Sequence, residues 1–173
     1  MADLVLEGFL RKQFEEGMAL ARQSDLLELI PVSGDPARRY IARFRCKGLV
    51  RNPDGVAEHN DFHVGVHFLD DYLRRVDPFQ LLTWLLPPHA WHPNVNAPAI
   101  CIGKVTPGTS LVDLLYRLFE VITYNKVTPR EDDALNRVAC QWARRNRDRF
   151  PIDRRPLKRR SLKLRVETAS AET

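Results

Sequence analysis

The hydrophobic period changes along this chain, and that change limits the fold more than any other feature. Tyr40, Ala42, Phe44 and Cys46 alternate with Arg43, Arg45 and Lys47, so an extended segment here has one apolar face and one charged face. Phe62, Val64, Val66 and Phe68 repeat the alternation. Farther along, Leu111, Leu114, Leu115, Leu118, Phe119 and Ile122 recur at helical spacing, with Ser110 placed as an N-cap and Asp113 as its third-position carboxylate. Alternating segments gathered ahead of helical ones specify an α+β arrangement and exclude a repeating β-α-β order.

The remaining elements fill in around this frame. A helix is expected after Asp3 as its cap, with Leu6, Leu10, Phe14, Met18 and Ala21 on one stripe. Residues 26–30 read as a first strand, closed by turn residues 31–36. Asn52-Pro53-Asp54-Gly55 is expected to turn between the second and third strands, and the apolar run at 79–86 to form a fourth before Pro87-Pro88 stops it. A last helix is expected to hold Leu135, Val138, Ala139 and Trp142. Thr128-Pro129-Arg130-Glu131 has the form of a capping box with proline at the first helical position, which would start that helix early and place Asp133 inside it.

With 173 residues and 44% hydrophobic content, one core is expected. No apolar run approaches the roughly 20 residues of a bilayer span, and Met1-Ala2-Asp3-Leu4 lacks the basic start of a signal segment. The expectation is a soluble cytoplasmic protein. Cysteines at 46, 101 and 140 form neither a disulfide framework nor a CxxC metal site. The net charge of +5 is uneven: residues 151–173 hold seven basic and three acidic side chains, which leaves residues 1–150 nearly neutral. This separates a body (1–150) from a basic C-terminal tail (151–173) and argues against a nucleic-acid groove across the fold. His63 and His67 on one strand would lie about 13 Å apart, too far to share an ion at ~2 Å bonds. No metal or cofactor is expected.

Between the two halves stands Trp91-His92-Pro93-Asn94-Val95-Asn96-Ala97-Pro98-Ala99-Ile100-Cys101-Ile102. Fully extended, the seven residues from Asn94 to Cys101 would span up to roughly 23–25 Å, so cooperation between them requires the chain to fold back. Its prolines and asparagines favour a bend. A thiolate attacks carbonyls readily, and the thioester it forms stays reactive towards amines, which makes Cys101 the candidate nucleophile. Cys46, on an apolar strand face, and Cys140, on the last helix, read as packing residues, as do Trp84 and Trp91. The Asn94 amide suits either of two roles, a donor to a developing oxyanion or a brace for the loop.

This element order, together with His92-Pro93-Asn94 and Ile100-Cys101-Ile102, resembles the ubiquitin-conjugating enzyme (E2) family over roughly residues 3–150. Thr106-Pro107 with the helix after it, and Pro129-Arg130-Glu131-Asp132-Asp133-Ala134-Leu135, are weaker matches. The resemblance implies an E2/UBC-like fold: an N-terminal helix, a four-stranded antiparallel meander, an active-site loop and C-terminal helices. It implies a ubiquitin-like modifier carried on Cys101 and received from an E1-like activating enzyme for delivery to a lysine-bearing target. It further implies that His92 organises the loop through its backbone and that Asp133, with Asp132 as alternate, orients or deprotonates the incoming lysine.

The interval from Asn94 to Cys101 is one residue shorter than the family's usual one. The family's Tyr-Pro-x-x-Pro-Pro stretch has become Tyr72-Leu73-Arg74-Arg75-Val76-Asp77-Pro78, and no tryptophan follows the cysteine in its loop. In the family these two regions dock RING-type ligases. The reduced pattern resembles the divergent E2-like proteins of bacterial antiphage operons, encoded beside an E1-like enzyme, a ubiquitin-like modifier and a JAB-type metalloprotease. Two other functions fit the same residues: an E2-fold scaffold that binds modifier or E1 without transfer, and a cysteine hydrolase pairing Cys101 with His92.

Overall fold

The structure, a computed structural model, describes residues 3–160. Met1, Ala2 and residues 161–173, and with them the outer part of the basic tail, lie outside the described residues.

Helix α1 (Leu4–Arg22) begins where the Asp3 carboxylate accepts the N–H groups of Val5 and Leu6, the N-cap arrangement expected of aspartate. Its buried stripe is Leu6, Leu10, Gln13, Gly17 and Leu20, rotated from the stripe read in the sequence, and Phe14 is 37% exposed. The rotation follows from close packing. A Cβ on Gly17 would stand 2.7 Å from Leu111 Cδ2, so the glycine lets two helices approach each other.

Strands β1 (Leu27–Ser33) and β2 (Arg39–Phe44) come next, followed by β3 (Gly48–Asn52) and β4 (Gly55–His59), then β5 (Phe62–His67), the single helical turn α2 (Pro78–Leu81) and β6 (Leu82–Leu86). The main sheet is antiparallel in the order β1-β2-β5-β6. Its register sets Ile30 beside Ile41, Ile41 beside Gly65 and Gly65 beside Thr83. Tyr40, Ala42, Phe44, Phe62, Val64 and Val66 face inward as the alternation predicts.

Three expectations about the strands need correction. β1 runs through Pro31 to Ser33 instead of turning there, which proline tolerates because β1 is an edge strand. The Asn52–Gly55 turn closes a separate two-stranded ribbon, β3 with β4, inserted between β2 and β5. The 79–86 run is split, because Asp77 caps the Phe79 N–H and Pro78 sits in the first turn of α2, so β6 begins only at Leu82.

The short pair β7 (Val95–Asn96) and β8 (Ala99–Ile100) precedes helices α3 (Leu111–Ile122) and α4 (Arg137–Arg145). In α3, Leu111, Leu114, Leu115, Leu118, Val121 and Ile122 are buried in the core shared with the sheet and α1. Ser110 Oγ accepts the Asp113 N–H, and the buried Gln13 side chain accepts the Leu111 N–H. A second apolar cluster joins Leu49, Trp91, Tyr124, Ala139 and Ala143. α4 starts later than the Thr128–Glu131 pattern predicts. Asn136 is its N-cap, accepting the Ala139 N–H, and Leu135 lies ahead of the helix.

The chain beyond residue 150 continues against the body as far as it is described. Leu157 is 2% exposed within the main core. Asp153 accepts the Lys47 N–H and is gripped by Arg155. Arg159 donates to the Arg22 carbonyl and, through its backbone N–H, to Gln23, which supplies cation and donors to the C-terminal end of α1. Among the described residues, no helix is long and apolar enough to cross a membrane.

Candidate active site

The loop from residue 87 to residue 101 is fastened to the body along its length. On one side, β3 pairs with the incoming chain: the Arg51 N–H donates to His89 O at 2.9 Å, and the Trp91 N–H to Leu49 O at 2.8 Å. On the other, the Trp84 N–H of β6 donates to Pro98 O at 2.8 Å. The Trp84 indole donates to Pro87 O at 2.7 Å. Trp84 and Trp91 are both buried.

Inside these anchors the chain folds back through β7 and β8. Asn94 and Cys101 meet twice: the Cys101 N–H donates to Asn94 O at 2.9 Å, and Asn94 Nδ2 donates to Cys101 O at 3.1 Å. The Asn94 side-chain oxygen accepts the Thr128 N–H at 2.9 Å. One amide therefore ties together the start of the loop, the cysteine backbone and the segment ahead of α4. Asn94 is 3% exposed, and among the described residues one of its Nδ2 hydrogens has no partner.

His92 lies below the loop. Its Nδ1 accepts the Asn94 N–H at 2.9 Å, which fixes the neutral ring with its proton on Nε2. Burial pushes its pKa down to about 3, and the nearby Lys126 backbone only partly offsets this; among the described residues Nε2 makes no hydrogen bond of standard geometry. The ring packs edge-on against Tyr124 at 4.4 Å. Tyr124 sits at φ 61°, just after α3, and its hydroxyl donates to Trp91 O. An imidazole so enclosed holds a neutral, fixed acceptor rather than a mobile proton.

Cys101 is partly exposed, flanked by the fully buried Ile100 and Ile102. The irregular segment after it is held by two cationic side chains. Lys126 Nζ donates to Ile102 O at 2.9 Å, and an Arg117 guanidinium nitrogen donates to Lys104 O at 2.6 Å. Cys46 and Cys140 are buried. Burial raises both thiols, so neither supplies thiolate at neutral pH.

Asp132 and Asp133 lie in a one-turn 3-10 segment at 131–133, outside α4, and both are exposed. Asp133 stands 3.8 Å from Arg130. Glu131, which the capping-box reading pointed back at Thr128, pairs instead with Gln141 and Arg144 of α4. The Asn136 N–H donates to Pro93 O at 3.0 Å and fastens this acidic segment to the His-Pro-Asn turn.

Sequence reasoning passed over Thr128 as a loop partner, Tyr124, Lys126 and the backbone of Asn136. Only Asn136 carried a readable signal, as an N-cap residue just ahead of a helix. His63 Nε2 donates to the Asp61 carboxylate at 3.1 Å on the outer sheet face, and no group of metal-ligating side chains is found among the described residues.

No protein-family description matches the chain, and none of the curated proteins matches it. Among solved structures, one described as a novel ubiquitin-conjugating enzyme aligns with 83% of this chain and 88% of its own, at a TM-score of 0.54 and 16% identity. At that identity the likeness is one of architecture: this chain has a UBC-like α+β fold, with the loop bearing Asn94 and Cys101 between its sheet and its C-terminal helices.

Proposed function

We propose that the chain is a cytoplasmic E2-like conjugating enzyme. Cys101 accepts the C-terminal acyl group of a ubiquitin-like modifier from an E1-like enzyme and passes it to a lysine amine of a target protein. The observation that carries this reading is the partly exposed Cys101, held by reciprocal hydrogen bonds with Asn94 within a UBC-like fold.

In the first step the Cys101 thiolate attacks the carbonyl carbon of the E1 thioester, and the E1 thiolate leaves. In the second, the lysine nitrogen attacks the same carbon, the carbonyl electrons move onto oxygen, and collapse forms the amide as the C–S bond breaks. The amine's proton passes to a base or to water, and in this proposal Asp133, or Asp132 beside it, both exposed, orients that amine. Asn94 acts first as the brace of the loop, with one Nδ2 hydrogen left for an oxyanion. His92 organises the turn.

The same resemblance leads us to place the protein in a bacterial antiphage conjugation system, which adjacent genes for an E1-like enzyme and a modifier would support. The shortened Asn94–Cys101 interval favours one second reading, an E2-fold scaffold that binds modifier or E1 with weak transfer. A hydrolase pairing His92 with Cys101 gains no support, since the ring is buried and its Nδ1 is already engaged.

Incubation with the E1-like enzyme, its modifier and ATP tests the proposal. A covalent adduct mapped to the peptide containing Cys101, and absent from Cys101→Ala, is the expected result. Binding without any adduct would select the scaffold.

A further inference from the structure

The Asn94 amide is largely committed to holding the loop, with Nδ2 on Cys101 O and Oδ1 on the Thr128 N–H. Negative charge developing on the acyl oxygen at Cys101 therefore has one uncommitted amide hydrogen from this residue. A second source of positive potential is held at the backbone of the residue after the nucleophile. Lys126 Nζ donates to the carbonyl of Ile102, the residue after Cys101. It rests against the backbone of Gly103, where an added Cβ would lie 2.8 Å from Nζ, at φ +89°. The lysine backbone is anchored in turn, its N–H donating 3.0 Å to Glu120 O at the end of α3.

Three donors thus hold successive points of the irregular segment that carries the nucleophile: Asn94 at Cys101, Lys126 at Ile102 and Arg117 at Lys104. Arg117 is neutralised by Asp113 at 2.8 Å. Lys126 takes part in no ion pair among the described residues. One hydrogen bond to a carbonyl uses one of its three donors. The cation is held by its neighbours without being neutralised by them.

We infer that Lys126 is a positioning residue for the reaction at Cys101: it fixes the segment beyond the nucleophile and sets an unpaired positive charge near it that favours an anionic acyl oxygen. The inference rests on the conjugating reading for its purpose, but the charge placement stands separately from that reading.

Paired alkylation reads that charge directly. Iodoacetate and iodoacetamide both react with the Cys101 thiolate, so thiolate content and accessibility largely cancel in the ratio of their rates, while the anionic reagent alone responds to local positive charge. In the full chain, with alkylation mapped to Cys101 by peptide mass, Lys126→Met is expected to lower the iodoacetate-to-iodoacetamide ratio about two- to three-fold. Lys126→Arg retains the ratio. Lys12→Met, which removes the same charge from the exposed side of α1, also retains it. The difference shrinks as salt is raised to about 0.5 M. An unchanged ratio in Lys126→Met overturns the inference, and Lys126→Gln takes its place if that variant does not fold. Because the assay uses neither E1 nor modifier, a flat ratio removes Lys126 alone, whereas a shifted ratio in a chain that never forms a thioester removes the conjugating reading and leaves the charge placement standing.

Discussion

His92 and Asn94 divide the work of the loop between a neutral ring below it and an amide through it. Because the folded imidazole stays neutral down to about 3 while an unfolded one protonates near 6.5, the unfolded chain binds the extra proton throughout that interval. Stability is then full above about pH 6.5 and falls on acidification, by at most ~1.4 kcal/mol per pH unit from this residue. His67, lowered by its own burial and then by Arg39, acts in the same direction. His92→Asn keeps an acceptor for the Asn94 N–H without a titrating ring, so urea unfolding from pH 7 to pH 5 should show a shallower slope than in the parent chain. Asn94→Ala strands the Cys101 carbonyl and the Thr128 N–H together. Leaving buried groups unpaired costs about 1–3 kcal/mol, to be read from the urea midpoint. The same variant should gain hydrogen exchange at Thr128, whose N–H loses its side-chain acceptor, more than at Cys101, whose N–H keeps the backbone carbonyl of residue 94.

At the scale of elements, the legible parts were those whose burial is one-sided. β2, β5 and α3 each bury one face, so period alone located them, and the Ser110 cap was read correctly at the α3 start. Illegible were the choices that depend on a distant partner. Thr128 looked like a helix cap, yet its N–H is taken by Asn94 across 34 positions, and Glu131 turns to α4. The α1 stripe slid because Gly17 has to face Leu111, which no local pattern on α1 shows. Of the candidate site, Cys101, Asn94 and His92 could be named from one short motif, and the structure brings them together through the β7–β8 fold-back. Lys126 comes from beyond α3 with no spacing to mark it. Gly48 carries a test of the ribbon's seat: an added Cβ would lie 2.5 Å from the Phe62 ring and 2.9 Å from Ile122 O. Gly48→Ala should therefore cost about 1–3 kcal/mol by overpacking, measured as a lowered denaturant midpoint with an unchanged slope.

Across the whole molecule, the sheet, α1 and α3 form one core, and a second cluster under the His-Pro-Asn turn ties that core to α4. The segment from 151 to 160 packs against the main core, contributing Leu157 to it and Asp153 to the turn after β2. Leu157→Ala should cost about 2–4 kcal/mol. The Asp153 carboxyl is held down to about 2, first by Arg155, so its contribution is present above the unfolded carboxylate range near pH 4 and is lost as pH falls from there through about 2. Acid unfolding followed by circular dichroism should show this loss below pH 4 in the parent chain and not in Asp153→Asn. The scaffold as a whole has one partly exposed thiol and two buried ones, and the conjugating reading depends on that single sulfur. The most direct measurement is the reductant sensitivity of the product formed with the E1-like enzyme, modifier and ATP. The parent chain should give an adduct cleaved by dithiothreitol, and Cys101→Ser should give an oxygen ester that resists it. An adduct that survives dithiothreitol in the parent chain, or one that still forms on Cys101→Ala, contradicts the account.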